Sequence, residues 1–185
     1  VPFTEGLGLE AAGVKMDNKR RVIVDARFAT SVPGIYAIGD VNGGTLLAHR
    51  ASKEARIAVE ALLGEASTFE NIVIPAVVYT RPEVAWCGLT ETEAKQKNID
   101  IKVAKFLWGA SGRALTLDRT EGLTKLIIEP ATERILGVGI AGVNAGDLIA
   151  EGVLAVEMGA TARDIAARIV ATQNRSDCGN GDGHG

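Results

Sequence analysis

A chain of 185 residues, of which 46% are hydrophobic, is long enough to bury the core of one domain, or of one domain and a piece of another. Its 20 basic and 23 acidic residues are interspersed and leave a formal net charge of −3, which argues against a nucleic-acid partner or an anionic membrane surface. No apolar run reaches the roughly 20 residues that a membrane-spanning helix needs, so we expect a protein of a soluble compartment.

The first predicted elements are two short apolar runs at residues 21–25 and 34–38, whose β-branched residues are typical of buried strands. Gly39 and Asp40 end the second run. Residues 45–64 then carry apolar side chains at helical spacing, which predicts a helix stopped by a glycine. The order is therefore strand, glycine turn and helix.

A polar connector at residues 65–71 precedes a region with a different sequence pattern, and we place a domain boundary at this connector. Residues 72–80 and 83–88 beyond it are predicted strands, and Pro75 restricts the first of them to a sheet edge or a bulge.

The rest of the chain predicts more strands and then helices. Thr90 and Glu93 have the spacing of a capping box, which predicts a helix that continues to about Asn98. Three further strands are predicted at residues 101–107, 122–129 and 134–141, and two helices at residues 145–158 and 161–170. This order favours an α+β fold with an antiparallel sheet and helices on one face.

The C-terminal segment, residues 174–185, consists mainly of Gly, Asp and Asn and is expected to be disordered. Its Cys178, Asp182 and His184 are possible metal ligands, but disorder is the better interpretation and we predict no metal site. Cys87 lies far from Cys178 in an apolar strand and is expected to be a buried, inert thiol.

The stretch at residues 30–49, TSVPGIYAIGDVNGGTLLAH, carries the main chemical signal. Gly39 lets the backbone approach a ligand closely, and Asp40 presents a carboxylate that can accept hydrogen bonds from ligand hydroxyls. Gly43 and Gly44 lead into a helix whose free amides suit an electron-rich ligand edge. By itself this pattern is also typical of a plain turn in many α/β proteins.

The residues of this stretch resemble a known family. T-x₂-P-G-I-Y-A-I-G-D is similar to the second FAD-binding motif of flavoproteins with two dinucleotide-binding domains, and L-L-A-H is similar to the M-L-A-H of dihydrolipoamide dehydrogenases. Four more segments resemble the C-terminal part of these pyridine nucleotide-disulfide oxidoreductases: VPFTEGLGLE, VVYTRPEVAWCGLTETEAK, GRALTLDRTEGLTKLI and ATERILGVGIAGVNAGDLIAE, in the last of which Gly139 and Asp147 depart from the family pattern.

The resemblance implies which residues would contact FAD: Gly39, Asp40, Leu46, Leu47, Ala48 and His49. In the family the aspartate binds the ribityl chain and the stretch after it contacts the isoalloxazine. Residues 1–64 would be the C-terminal segment of the FAD-binding domain, and residues 70–170 a dimerisation, or interface, domain.

The resemblance also implies what the parent protein does. It would oxidise dihydrolipoamide with FAD and NAD⁺ as a homodimer, serve the lipoyl domains of a 2-oxo acid dehydrogenase complex, and lie in the bacterial cytoplasm or the mitochondrial matrix. A related flavoprotein reductase acting on glutathione, mercuric ion or a second nicotinamide is an alternative, and so is a non-catalytic dimerisation module.

The catalytic parts of the family have no counterpart in this sequence. Where the family has H-P-T-x-x-E, with its acid/base histidine, the sequence around Gln173 has no histidine, and an amide cannot take up a thiol proton. The redox Cys-x₄-Cys, the N-terminal GxGxxG flavin motif of the family and the NAD domain are missing too, and the chain begins without a methionine. We therefore expect a fragment with no catalytic residues of its own, inactive alone.

Overall fold

The computed structural model of the protein describes residues 3–67, 69 and 73–167. Its contacts divide the chain into two units, Val1–Ile72 and Val73–Gly185. The bounds predicted for the two domains, residues 1–64 and 70–170, stay predictions. The C-terminal segment 174–185 and the position near Gln173 lie outside the described residues.

Two features can be excluded for the part of the chain that is described. No helix there combines the length and the apolar character needed to cross a membrane. The same residues hold no cluster of three or more His, Cys, Asp or Glu side chains that could hold a metal ion.

The first unit contains one long helix, α1 (Ala48–Leu62), and a short 3-10 turn at Gly39–Asn42. Helix α1 ends as predicted: Gly64 has a φ of 84°, and its amide donates to the carbonyl of Ala61 at 3.1 Å. Ile57 and Ala58 on the inner side of α1 pack with Phe28 to form the small core of this unit.

The two strands predicted for this unit are wrong in extent. Residues 21–25 and 34–38 contribute only single antiparallel residue pairs, Met16 with Val22 and Ala29 with Tyr36.

Local turns explain why residues 21–25 and 34–38 form no longer ladder. The Asp17 carboxylate accepts hydrogen bonds from the backbone amides of Lys19 and Arg21, at 2.8 and 3.0 Å. The Asp25 carboxylate does the same for the amides of Arg27 and Ala29. Because these side chains occupy amides that a neighbouring strand would need, the chain turns instead of pairing.

The second unit contains a five-stranded sheet with the order β1-β2-β5-β4-β3, in which every neighbouring pair is antiparallel. Its strands are β1 (Ala76–Val78), β2 (Glu83–Gly88), β3 (Lys102–Leu107), β4 (Leu123–Ile128) and β5 (Ile135–Gly142). Strands are confirmed in all five predicted regions, although β1 covers only a part of the predicted residues 72–80. Strand β1 begins directly after Pro75 and lies at the sheet edge, as the proline requires.

The helices of this unit are α2 (Glu91–Gln96), α3 (Gly112–Thr116), α4 (Ala145–Glu157) and α5 (Ala162–Ala167). The predicted capping box of α2 is confirmed. The Thr90 hydroxyl accepts from the Glu93 amide at 3.2 Å, and the Glu93 carboxylate accepts from the Thr90 amide at 3.0 Å. Two features were not predicted: the short helix α3 and a 3-10 turn at Trp108–Ala110, both too short to show helical periodicity.

Helix α4 packs against strands β2 and β5 and closes the main core. Gly152 lets the helix approach the sheet, since a Cβ there would lie 2.9 Å from the Cβ of Val138. The α+β class, with an antiparallel sheet and packed helices, is therefore confirmed. The buried side chains of this core are Ala85, Cys87, Leu126, Ile128, Ile135, Val138, Ile140, Ala145, Ile149 and Ala155.

Trp108 covers two glycines at one end of the sheet. A Cβ on Gly122 would lie 2.2 Å from the indole ring, and a Cβ on Gly142 would lie 2.3 Å from it. The indole Nε1 donates to the Thr124 hydroxyl at 3.0 Å, so the ring is fixed in place as well as packed.

We expect the Gly122→Ala variant to be destabilised by about 1–3 kcal/mol, because the added methyl group must displace a rigid indole from its glycine. Chemical denaturation followed by tryptophan fluorescence measures this change. Gly109→Ala is the matched control, since a Cβ at Gly109 meets nothing within 4 Å. Equal stability of the two variants would show that Trp108 does not need the space at Gly122.

Candidate functional site

The candidate ligand-binding residues begin at the 3-10 turn of the first unit. Gly39 is buried and has a φ of 72°, and a Cβ there would lie 3.1 Å from the Cβ of Ala51 in α1. Asp40 follows with its side chain exposed. Among residues 3–67, 69 and 73–167, no hydrogen bond or ion pair engages the Asp40 carboxylate. It is therefore available to a ligand.

The other predicted contact residues lie where α1 begins. Leu46 is 55% exposed, Leu47 is half-buried, and Ala48 and His49 are exposed. Leu47 is the N-cap and supplies no capping side chain. The positive end of a 15-residue helix thus lies next to Leu46 and Leu47, as the sequence predicted.

A buried carboxylate, which sequence reasoning missed, organises the turn. The side chain of Glu54 in α1 has no exposed surface. Its Oε2 accepts hydrogen bonds from the backbone amide of Gly39 at 2.6 Å and from Nδ2 of Asn42 at 3.0 Å. Its Oε1 lies 2.5 Å from Nη2 of Arg50, one helical turn earlier.

Arg50 extends this contact set to the second half of the turn. Its Nη2 donates to Oδ1 of Asn42 at 3.1 Å. Its Nη1 donates to the backbone carbonyls of Gly43 and Thr45, the latter at 3.1 Å. We call Glu54, Arg50 and Asn42 the buried triad, because each of the three side chains contacts the other two.

A second arginine packs against the residue that follows the turn. Arg21 lies over Gly43, where a Cβ would approach its Cδ to 2.5 Å. Asp17 holds this arginine: its Oδ2 lies 2.7 Å from Nε and 2.6 Å from Nη2. The hydrogen bond from the Arg21 side chain, with one from the Arg21 amide, lowers the pKa of Asp17 from its usual 3.8 to about 2.

The sequence did contain a signal for Glu54. The residue stands three positions after Ala51 and four before Ala58, on the stripe that α1 buries, and Arg50 precedes it by four. A charge on an apolar helix face with a partner at helical spacing indicates a buried ion pair.

In the second unit, the sequence singled out Cys87 as a residue to examine. The expectation for Cys87 holds: the side chain is buried, and burial raises the pKa of its thiol to about 11. A thiol with that pKa stays protonated near neutral pH and is a poor nucleophile.

Comparison with known proteins identifies the family. Residues 74–173 match the family model described as "Pyridine nucleotide-disulphide oxidoreductase, dimerisation domain", and residues 1–55 match "Pyridine nucleotide-disulphide oxidoreductase". The chain belongs to the pyridine nucleotide-disulphide oxidoreductase family. The resemblance inferred from the sequence motifs is thereby confirmed.

Curated relatives give the same result. The chain is 52% identical over 168 residues to a dihydrolipoyl dehydrogenase of Thermus scotoductus. This alignment covers 91% of this chain and 36% of the relative. It is 45% identical over 165 residues to the mitochondrial dihydrolipoyl dehydrogenase of Bos taurus. That alignment covers 89% of this chain and 32% of the relative. The chain thus spans about a third of the length of these relatives.

Solved structures share the fold. The HOCl-induced flavoprotein disulfide reductase RclA from Escherichia coli aligns with a TM-score of 0.87 and 28% identity over 95% of this chain and 41% of its own. LpdA from Mycobacterium tuberculosis aligns with a TM-score of 0.87 and 29% identity over 94% of this chain and 38% of its own.

The contact between Asp17 and Arg21 generates a prediction about pH. Because the folded-state pKa of Asp17 is depressed, its contribution to stability is present above pH 3.8 and is lost as pH falls toward 2. A carbon-13 NMR titration of the side-chain carboxyl should give a pKa of about 2 for Asp17.

The Arg21→Met variant should raise the pKa of Asp17 toward 3.8, because it removes the two contacts from the guanidinium. Arg20→Met is the control, since Arg20 pairs with Glu5 and not with Asp17. An unchanged pKa of Asp17 in Arg21→Met would contradict the contact.

Proposed function

We propose that this chain supplies part of the flavin site and the homodimer interface of a FAD-dependent dihydrolipoyl dehydrogenase, which oxidises dihydrolipoamide with NAD⁺. The observation that carries the proposal is the free, exposed carboxylate of Asp40 on a turn held by buried contacts. The identity of 52% to a dihydrolipoyl dehydrogenase supports the choice of substrate.

The residues of the turn fit FAD. The Asp40 carboxylate offers acceptors for ribityl hydroxyls. Gly39 and Gly43 adopt positive φ angles, and the side chains they lack leave room for Ala51 and Arg21 to pack against the turn that carries Asp40. The amides at the start of α1 suit the pyrimidine edge of the isoalloxazine, next to Leu46 and Leu47.

The division of work between cofactor and chain follows. When bound, FAD would carry the electrons between the dithiol and the nicotinamide. Asp40 would bind and orient the ribityl chain, and the start of α1, with Ala48 and His49, would favour the flavin that carries negative charge. Leu46 and Leu47 would exclude water from one side of the ring system.

We also propose that this chain transfers no electrons alone. Its described cysteine, Cys87, is buried with a raised pKa, so it offers no reactive thiolate. NADH-dependent reduction of lipoamide by the purified chain with added FAD would contradict this.

The second unit would supply the homodimer contact. Residues 74–173 match a dimerisation domain, α4 carries the exposed apolar side chains Leu148 and Leu154, and the exposed Met158 follows the helix. In the intact enzyme we further propose a lipoyl domain of a 2-oxo acid dehydrogenase complex as partner, in the bacterial cytoplasm or the mitochondrial matrix.

Two other functions have specific support. A non-catalytic dimerisation module is favoured by the match of residues 74–173. A related flavoprotein disulfide reductase is favoured by the structural similarity to RclA.

We expect the natural full-length protein to show flavin absorbance bands, and its Asp40→Asn variant to bind FAD about tenfold more weakly. A hydrogen bond to a charged group contributes roughly 1.5–3 kcal/mol, of which the amide keeps a part. Titration of the apoprotein with FAD, followed by flavin fluorescence, measures the affinity.

Asp100→Asn is the control, since it makes the same change of charge at an exposed position in the second unit. Equal FAD affinity of the Asp40 and Asp100 variants would show that the Asp40 carboxylate does not contribute to FAD binding. A colourless protein that sediments as a dimer would favour the dimerisation module.

A further inference from the structure

We propose that Glu54 is a positioning residue for the flavin site: its buried carboxylate fixes the turn that joins Asp40 to the start of α1. This inference rests on the proposed function, and it adds a residue that would not touch the cofactor. Glu54 stands fourteen residues after Asp40, on the inner side of α1.

The first argument is that the donors to Glu54 come from both ends of the 3-10 turn. The amide of Gly39 binds Oε2 at the first residue of the turn, and the side chain of Asn42 binds the same oxygen from its last residue. Asp40 lies between these two anchor points. Its backbone is therefore held while its carboxylate stays exposed.

The second argument is that the buried triad also holds the segment after the turn. Arg50 is oriented by Glu54 and Asn42, and it reaches the carbonyls of Gly43 and Thr45. A single buried ion pair thus connects the Asp40 side of the candidate site with the side formed by the start of α1. The contacts of Asp40 with the ligand and those of the start of α1 would therefore both depend on the ion pair between Glu54 and Arg50.

The third argument is the cost of the arrangement. A carboxylate without exposed surface is strongly unfavourable unless it is compensated, and Glu54 has two hydrogen bonds on Oε2 and only the ion pair with Arg50 on Oε1. A glutamine at position 54 keeps the shape but loses the charge, so the guanidinium of Arg50 remains buried without its counter-ion. We expect the turn to loosen in response, while the rest of α1 stays folded.

The test uses Glu54→Gln in the natural full-length protein, with Glu60→Gln as the matched control. Glu60 lies on the same helix and pairs with Arg56 four residues earlier, as Glu54 pairs with Arg50, but this second pair is exposed. Both changes remove one negative charge. Asn42→Ala is the second variant, which breaks the triad without a change of charge.

Three measurements are made on all three variants. Hydrogen exchange of residues 39–45 in the apoprotein reports whether Glu54 fixes the turn without any flavin. FAD affinity and the flavin midpoint potential report whether the position of the turn matters to the cofactor. A purely structural role would lower the stability and leave the potential of bound flavin unchanged.

We expect exchange of the Gly39 amide in Glu54→Gln to be faster by about tenfold or more, and FAD binding to be weaker by a similar factor, with a shifted potential. Asn42→Ala should change in the same direction, and Glu60→Gln should match the wild type. Unchanged exchange in Glu54→Gln would overturn the inference.

Faster exchange with unchanged FAD affinity and potential would also overturn it, and the proposed function would stand. A wild-type protein that binds no FAD would overturn the proposed function first, and the role of Glu54 toward the flavin with it. The exchange measurement keeps these failures distinguishable.

Discussion

A single fully buried carboxylate determines the conformation of the candidate site. Glu54 lies on the stripe of α1 that faces the protein interior, and a charge in that place is tolerated only when donors surround it. Gly39 and Asn42 donate hydrogen bonds to Glu54 and Arg50 forms an ion pair with it, and all three also belong to the segment that carries the candidate ligand contacts. The burial of α1 therefore depends on the conformation of the turn, because the turn supplies the groups that compensate the charge of Glu54.

In the second unit, too, carboxylates accept hydrogen bonds from backbone amides and so connect separate parts of the chain. Glu83 at the start of β2 accepts a hydrogen bond from the amide of Gly146 at 3.0 Å. This bond gives a partner to one of the free amides in the first turn of α4. Glu157 at the end of α4 accepts from the amide of Val73 at 2.6 Å. These contacts fix both ends of the helix whose exposed apolar side chains we assign to the dimer interface.

The sequence predicted the second unit well, because its elements rest on local signals: alternation in the strands, the Thr90 capping box and the proline before β1. It predicted the first unit less well. Asp17 and Asp25 divert backbone amides from strand pairing, and this competition is invisible to hydrophobic patterns. Asp40 and Leu46 are candidate ligand residues because of the family resemblance, whereas the role of Glu54 was recognised from its three-dimensional contacts.

The most direct test of the central claim is a crystal structure of the natural full-length protein with FAD. We expect an Asp40 carboxylate oxygen about 2.5–3.0 Å from a ribityl hydroxyl, with the Gly39 amide still bound to Glu54. A flavin bound without contact to Asp40, or bound while the Gly39 amide has left Glu54, would contradict the roles assigned to both residues.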